Sequence, residues 1–299
     1  MKILISGSSG FVGSALVSLL AGDGHQVVRL VRSPRGTGES EVVWDPVGGS
    51  VNPAALEGID AVVHLAGEPI AAGRWTPERK AKIRDSRLIG TRRLCEALAQ
   101  MPRPPRVLVS ASAVGYYGNR AEEPLTEESA RGSTFLAELS QEWEAATTPA
   151  RERGIRVVNA RIGIVLSPAG GALQKMLPPF QLGIGGPLGS GRQVMSWVSL
   201  DDTIGAMRHA LVTEQLRGPM NVTAPQPVTN REFSKTLGRV LSRPAFAPVP
   251  TFALRLMFGQ LADEALLASA RALPAKLQQT GYAFRHPDLE SALRHVLGR

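Results

Sequence analysis

Apolar residues in this chain follow two alternating rhythms. Lys2–Ser6 is a short apolar run ending at a glycine, after which Phe11, Val12, Ala15, Leu16, Leu19 and Leu20 recur at the three-and-four spacing of one helix face. Strand, turn and helix are expected in that order. Gln26–Val31 is β-branched and apolar, Val42–Trp44 reads as a short strand, and the unbroken Ala61–Leu65 reads as a buried one. A helix from Thr76 to Ala99, a strand at Arg106–Ser110, a helix from Ser133 to Arg153 and a strand at Ile155–Val165 follow. Strands alternating with helices imply right-handed crossovers, so the pattern predicts an α/β fold on a doubly wound parallel sheet.

Beyond Ser167 the texture changes. Gly170, Gly171, Gly183, Gly185, Gly186, Gly189 and Gly191 crowd one stretch, which predicts long loops over a site or a small lobe. Helical spacing returns at Leu200–Val212, Asn230–Leu241 and Leu289–Leu297, with Met220–Thr223 as a short strand. The expected division is 1–166 for the main domain and 167–299 for mixed loops and a smaller C-terminal subdomain, of which 192–224 returns to the main core.

At 299 residues and 43% hydrophobic content the chain can bury one large core or a main core plus a lobe. The apolar run before Gly7 is too short for a signal peptide, and nothing approaches the ~20 apolar residues of a membrane span. A membrane is therefore not expected as a partner. The single cysteine, Cys95, shares a helical face with Leu88, Leu94 and Leu98, which reads as a buried reduced thiol and fits a cytoplasmic setting. Lys and Arg number 34 against 26 Asp and Glu, giving +8. No basic run with interleaved aromatics accompanies that excess, so nucleic acid is not expected either.

Gly7-Ser8-Ser9-Gly10-Phe11-Val12-Gly13 stands between the first strand and the first helix. In such a loop the first glycine makes the tight turn, the second lets backbone approach a pyrophosphate, and the third lets helix pack on strand. The helix start offers amides and a partial positive charge to the phosphates. This is the signature of a Rossmann domain, with Gly7, Ser9, Gly10, Phe11, Val12 and Gly13 as cofactor-binding candidates. An acid at the end of the second strand would mark a free ribose 2′-OH. Here the chain reads Arg29-Leu30-Val31-Arg32-Ser33-Pro34-Arg35, so Arg32 and Ser33 point to a 2′-phosphate and the expected cofactor is NADP(H). The competing account is that these arginines only solvate the strand end.

Further motifs accumulate at the ends of later strands: His64-Leu65-Ala66-Gly67, Gly90-Thr91, the run from Ser110 to Gly118, and Ser196-Trp197-Val198-Ser199-Leu200-Asp201-Asp202. With them the chain resembles the extended short-chain dehydrogenase/reductases of the epimerase/dehydratase type. Ala66–Ile70 with Arg74-Trp75-Thr76, the stretch from Gly185 to Gln193, and Leu273–Leu277 before Gly281-Tyr282 are similar to an atypical epimerase-family subgroup. The resemblance implies that Leu65, Ala66, Gly67 and Ser110 also border the cofactor. It implies no particular substrate.

Enzymes of that superfamily use a Tyr and a Lys four residues later to move a proton while hydride moves at the nicotinamide. The helix beginning near Ser133 has neither; if Glu144 is aligned with the acid that often follows, Leu136 and Ser140 stand in their places. Three readings stay open. In the first the protein is an oxidoreductase or epimerase, with Ser112 polarising a carbonyl and Tyr116 as acid/base, or with Tyr117 in that slot and Ala113 where the serine belongs. Strand-end hydrogen bonding of Ser110 and Ser112, and plain packing of the tyrosines, is the alternative. In the second reading the fold keeps NADP(H) as a silent sensor or scaffold; in the third the basic surface binds nucleic acid.

Glu68, Arg74 and Lys80 are candidates for the mouth of a pocket, with a solvated salt-bridge face as the competing account of Lys80. Trp75, Trp197 and the 183–191 loop with Arg192 are candidates for covering a substrate, against packing and a surface loop respectively. Arg161 reads as a polar group near the nicotinamide or as a strand-end ion pair. His64 reads as a satisfied core histidine. No metal-ligand spacing is present, so no metal is expected. The expected partner is a small molecule, anionic in one reading, bound by a monomer or homodimer.

Overall fold

The computed structural model describes residues 1–34, 40–49 and 51–299. Its first half runs β1 (Lys2–Ser6), α1 (Phe11–Gly22), β2 (Gln26–Val31), β3 (Glu41–Val43), β4 (Ala61–His64), α2 (Pro77–Gln100), β5 (Val107–Ala113), β6 (Pro124–Leu125), α3 (Phe135–Ala145), α4 (Thr148–Glu152) and β7 (Arg156–Ile162). It continues with β8 (Ile164–Leu166), α5 (Gly171–Gln181), β9 (Val194–Met195), β10 (Trp197–Ser199), α6 (Leu200–Val212), β11 (Gly218–Val222), β12 (Val228–Thr229), α7 (Asn230–Leu241), α8 (Thr251–Phe258), β13 (Arg271–Ala272), α9 (Ala275–Gln279) and α10 (Leu289–Leu297).

Seven strands form one sheet in the order β11-β7-β5-β4-β1-β2-β3, and every pairing in it is parallel. Parallel strands covered on both faces must be apolar at consecutive positions, which is why β1 and β4 read as unbroken runs. Ile3, Ile5, Val63 and Val109 face a core shared with Leu16 and Leu20 of α1 and Met207 of α6. Leu4, Leu30, Val62 and Leu108 face the opposite core with Leu94, Cys95 and Leu98 of α2. Burial pushes the Cys95 thiol up to about 12, so it is an inert packing group. A third cluster joins α5, α7 and α10 through Leu173, Phe180, Trp197, Phe233, Leu237 and Leu293.

Two expected elements divide. The helix over 133–153 breaks between α3 and α4, because Pro149 lacks the N–H a continuous helix needs and its ring would strike the carbonyl four residues back. Thr147 donates instead to the carbonyl of Glu144 at 2.6 Å. The strand over 155–165 breaks at Gly163, where a Cβ would overlap the carbonyl oxygen of Ser196. The chain leaves the main sheet there, and β8 pairs with β10. The glycine-rich stretch after Ser167 is also more ordered than a run of loops, since it contains α5 with Pro178 and Pro179 inside it. No helix among the described residues is long and apolar enough to cross a membrane.

Candidate functional site

The turn after β1 shows three glycines meeting three different demands. Gly7 has φ +69°, and a Cβ there would lie 2.8 Å from the Leu65 carbonyl carbon and 2.9 Å from the Ala66 nitrogen. A Cβ on Gly13 would overlap the Gly7 carbonyl oxygen, so this glycine sets how closely α1 packs on the turn. Gly10 is different: a Cβ there would meet only the Gly7 oxygen, at 3.4 Å, and the residue is exposed. It also caps α1 with no side-chain acceptor and no acid in the first turn, whereas Thr76, Thr134, Ser199, Thr229 and Asp288 cap their helices by accepting from a backbone N–H. A helix start without its own acceptor is open to an anionic ligand. Ser9 is exposed, while Phe11 and Val12 are half-buried against the core. Gly170 packs against the Phe11 ring, where a Cβ would lie 2.7 Å from Cγ.

The floor of this cradle is wired to β4. Ser6 Oγ accepts from the amides of Leu65 at 3.1 Å and Ala66 at 3.3 Å, so its own proton is free to reach His64 Nδ1 at 2.6 Å. His64 is then protonated on Nε2, which donates to Thr91 Oγ1 at 3.0 Å; that oxygen also accepts from Trp143 Nε1 at 2.9 Å. Burial pulls the imidazole down to about 4, in keeping with a neutral ring. His64 thus supports Leu65 and Ala66 through Ser6, with Thr91 on its other ring nitrogen, while Gly90 faces Pro46 and Trp44. Gly67 is exposed beside the Arg87 guanidinium, which donates to the Glu68 carbonyl at 2.9 Å.

Arg32 and Ser33 follow β2 and are exposed at its end; Arg35 lies outside the described residues. Ser110 is fully buried, in register with His64 on one side and Asn159 on the other. Ser112 sits opposite Arg161 on β7 and donates to Glu144 Oε1 at 2.7 Å. Glu144 receives two further bonds from Arg161, whose guanidinium carbon lies 3.4 Å from the centre of the Tyr116 ring. The arrangement separates the two tyrosines. Tyr117 is fully buried, donates to Asn221 and the Thr126 carbonyl, and is pushed up to about 12 by burial, partly offset by Arg161. Tyr116 is half-buried, and its hydroxyl has no hydrogen-bond partner among the described residues. Leu136 packs beside Gly115, and Ser140 donates to the Leu136 carbonyl at 2.8 Å, so neither position on α3 offers a phenol or an amine.

Other candidates settle into the scaffold. Trp75 donates to the Ile70 carbonyl at 2.8 Å and packs edge-on against Phe135, while Trp197 is fully buried and donates to the Gln226 carbonyl. Lys80 lies over the Phe135 ring at 4.8 Å, and Glu68 pairs with Arg79 at 2.7 Å. Arg74 donates to the Leu256 carbonyl at the end of α8, at 3.5 Å. The 183–191 loop is fastened by Gly189 to Val249, by Val249 to Pro187 and by Leu188 to the Asn230 side chain; Arg192 is exposed beyond it. Sequence reasoning named Arg161 and Glu144 apart, but not the chain from Arg161 through Glu144 to Ser112, because the three come from separate elements.

Residues 3–222 match the family model described as NAD dependent epimerase/dehydratase family, and residues 249–296 match a domain of unknown function. The chain is 45% identical over 297 residues to an epimerase family protein, Mb2239, of Mycobacterium bovis, covering 99% of this chain and 98% of that protein. It is 36% identical to the human epimerase family protein SDR39U1, covering 99% and 100%. A crystal structure of that human protein with NADPH superposes with a TM-score of 0.91 and covers both chains fully, at 36% identity. Through the breadth of these matches the chain is placed as a member of the NAD dependent epimerase/dehydratase family.

Proposed function

We propose that this protein binds NADP(H) on the Gly7–Gly13 loop and acts as an oxidoreductase or epimerase on a small molecule. The observation that carries the reading is the cradle itself: Gly7 and Gly13 are sterically obligatory, and the open Gly10 heads a helix with no side-chain cap. Exposed Arg32 and Ser33 would meet the 2′-phosphate, and Leu65, Ala66, Gly67 and Ser110 would border the rest of the cofactor. The relative whose structure was solved with NADPH supports this choice of cofactor.

The nicotinamide, when bound, supplies or accepts a hydride. Ser112 then turns its hydroxyl proton from Glu144 to a substrate oxygen, while Glu144 keeps its two bonds from Arg161. Tyr116 exchanges the proton, giving it to that oxygen in reduction and taking it back in oxidation. The Arg161 cation over its ring fixes the direction of the phenol. A second reading rests on Leu136 and Ser140: with no Tyr and Lys on α3, the protein keeps the cofactor as a silent sensor or scaffold.

Calorimetric titration with NADPH, followed by NADPH consumption against carbonyl compounds and nucleotide sugars, separates the two. Turnover that Ser112→Ala with Tyr116→Phe abolishes supports the enzyme. Tight binding without turnover across the panel supports the silent reading, and no binding of either nicotinamide coenzyme overturns both.

A further inference from the structure

Away from the glycine loop and the Ser112–Tyr116 cluster, the fold gathers two histidines and a carboxylate that neither accounts for. Asp201 stands in the first turn of α6, His295 in the last turn of α10, and His286 on the segment between α9 and α10. His295 Nε2 lies 2.7 Å and His286 Nε2 3.7 Å from the same oxygen, Asp201 Oδ2. The two imidazoles stack with their centres 4.3 Å apart at an angle of 25°. One ligand atom from each of the three residues falls within 4.8 Å of the others.

The supports of this cluster are buried although its heads are not. Asp202, only 1% exposed, accepts from Ser199 Oγ, from the Tyr282 hydroxyl and from the backbone amides of Arg285 and His286 at 2.7 and 3.0 Å. That carboxylate fixes the backbone of His286 beside Asp201. Leu289, Ala292 and Leu293 bury one face of α10, which fixes the helix that carries His295. The side chains of His286, Asp201 and His295 are 16%, 30% and 52% exposed, so an ion can reach them from solvent.

From this placement we infer that Asp201, His286 and His295 bind one divalent transition-metal ion of the zinc class, stapling α10 to the start of α6. Two imidazoles and one carboxylate suit a borderline cation such as zinc, cobalt or nickel, whereas magnesium and calcium take oxygen ligands. Zinc bonds of about 2.0 to 2.1 Å place neighbouring ligand atoms roughly 3.3 Å apart around a tetrahedral ion. The two separations from Asp201 straddle that spacing. The stacked rings must splay to aim both lone pairs at one point, and the half-exposed His295 has room to do so. Arg208 and Arg285 border the same crevice as Asp201, and Arg208 is already paired with Asp23 at 3.2 Å. Their positive charge opposes a cation and weakens the site.

The test uses the full chain without a histidine tag, stripped with EDTA and dialysed, and titrated with zinc chloride by calorimetry and against a chromophoric chelator. One zinc ion per chain is expected, with a melting temperature raised by roughly 5 °C at a hundredfold excess over the dissociation constant. His295→Ala and Asp201→Asn should each weaken binding at least tenfold and remove the thermal shift, while His25→Ala leaves both unchanged. Circular dichroism of the surface variant His295→Ala checks that it remains folded. Absence of stoichiometric zinc, binding indifferent to His295→Ala, or magnesium competing on equal terms overturns the site.

Discussion

Arg161 and Glu144 meet side-on between β7 and α3, Nε to Oε1 at 2.8 Å and Nη2 to Oε2 at 2.9 Å, with side chains only 3% and 13% exposed. Two charges withdrawn from water this far are stable only together. Burial by itself pulls the guanidinium pKa down, but the hydrogen bonds and charge of Glu144, with Tyr117 behind them, outweigh it and hold Arg161 above its ordinary value. Removing one member of such a pair leaves the other buried and uncompensated, at a cost of about 3 to 5 kcal/mol. Glu144→Leu and Arg161→Met should therefore each lower unfolding stability by that amount. The double variant Glu144→Leu with Arg161→Met should lose less than the two single variants added together. Chemical denaturation of the four proteins checks this, and additive losses within about 0.5 kcal/mol would show the pair to be uncoupled.

The glycine loop predicts a separation of stability from binding. A Cβ on Gly10 meets only one atom, at 3.4 Å, so Gly10→Ala should leave the unliganded protein within about 0.5 kcal/mol of wild type. The added methyl occupies the face where phosphate approaches, and NADPH affinity should fall at least tenfold. A Cβ on Gly13 overlaps the Gly7 carbonyl, so Gly13→Ala must push α1 away and should damage both stability and binding. Thermal melts with and without NADPH distinguish the two variants. Equal loss of stability in both would contradict the roles assigned to these glycines.

Exposed Arg32 offers a test of cofactor choice. A charge-assisted bond to a phosphate is worth about 1.5 to 3 kcal/mol, so Arg32→Glu should weaken NADPH at least tenfold by removing that bond and adding repulsion. NADH lacks the phosphate, and its affinity should stay level or rise. Paired calorimetric titrations read both coenzymes, and an unchanged NADPH affinity would remove Arg32 from the site.

How much of this was legible in the sequence depended on the range over which each cause acts. Gly13 answers the nearby Gly7 carbonyl and Gly7 has a local positive φ, so the turn and packing roles could be read from the loop, whereas the approach of Leu65 and Ala66 to Gly7 comes from distant chain. Continuous apolar runs in β1 and β4 announced a sheet covered on both faces. Periodicity alone carried the predicted helix through Thr147 and past Pro149, where one missing N–H outweighs apolar spacing. The split at Gly163 depends on the approach of Ser196, a contact formed by distant chain that no local pattern encodes. Tyr116 and Tyr117 were indistinguishable as neighbours. Their difference arises from Asn221 and Thr126, which bind one hydroxyl and not the other.

His64 predicts a pH dependence with a definite sign. Its folded value of about 4 lies below the 6.5 of an unperturbed imidazole, because the fully buried ring has no water to stabilise a charge. Between those two values the unfolded chain binds the extra proton and the folded chain does not, so acid favours unfolding. The contribution is present in full above pH 6.5 and drains away as pH falls toward 4, by about 2 kcal/mol between pH 7 and 5. Protonation would also place a proton on Nδ1, where the Ser6 hydroxyl donates, and so disturb the oxygen that accepts from Leu65 and Ala66. The variant His64→Gln cannot titrate in this range. It should begin less stable at pH 7, yet show a shallower decline to pH 5 in urea denaturation. Parallel declines in the two proteins would mean that His64 is not the group that senses the acid.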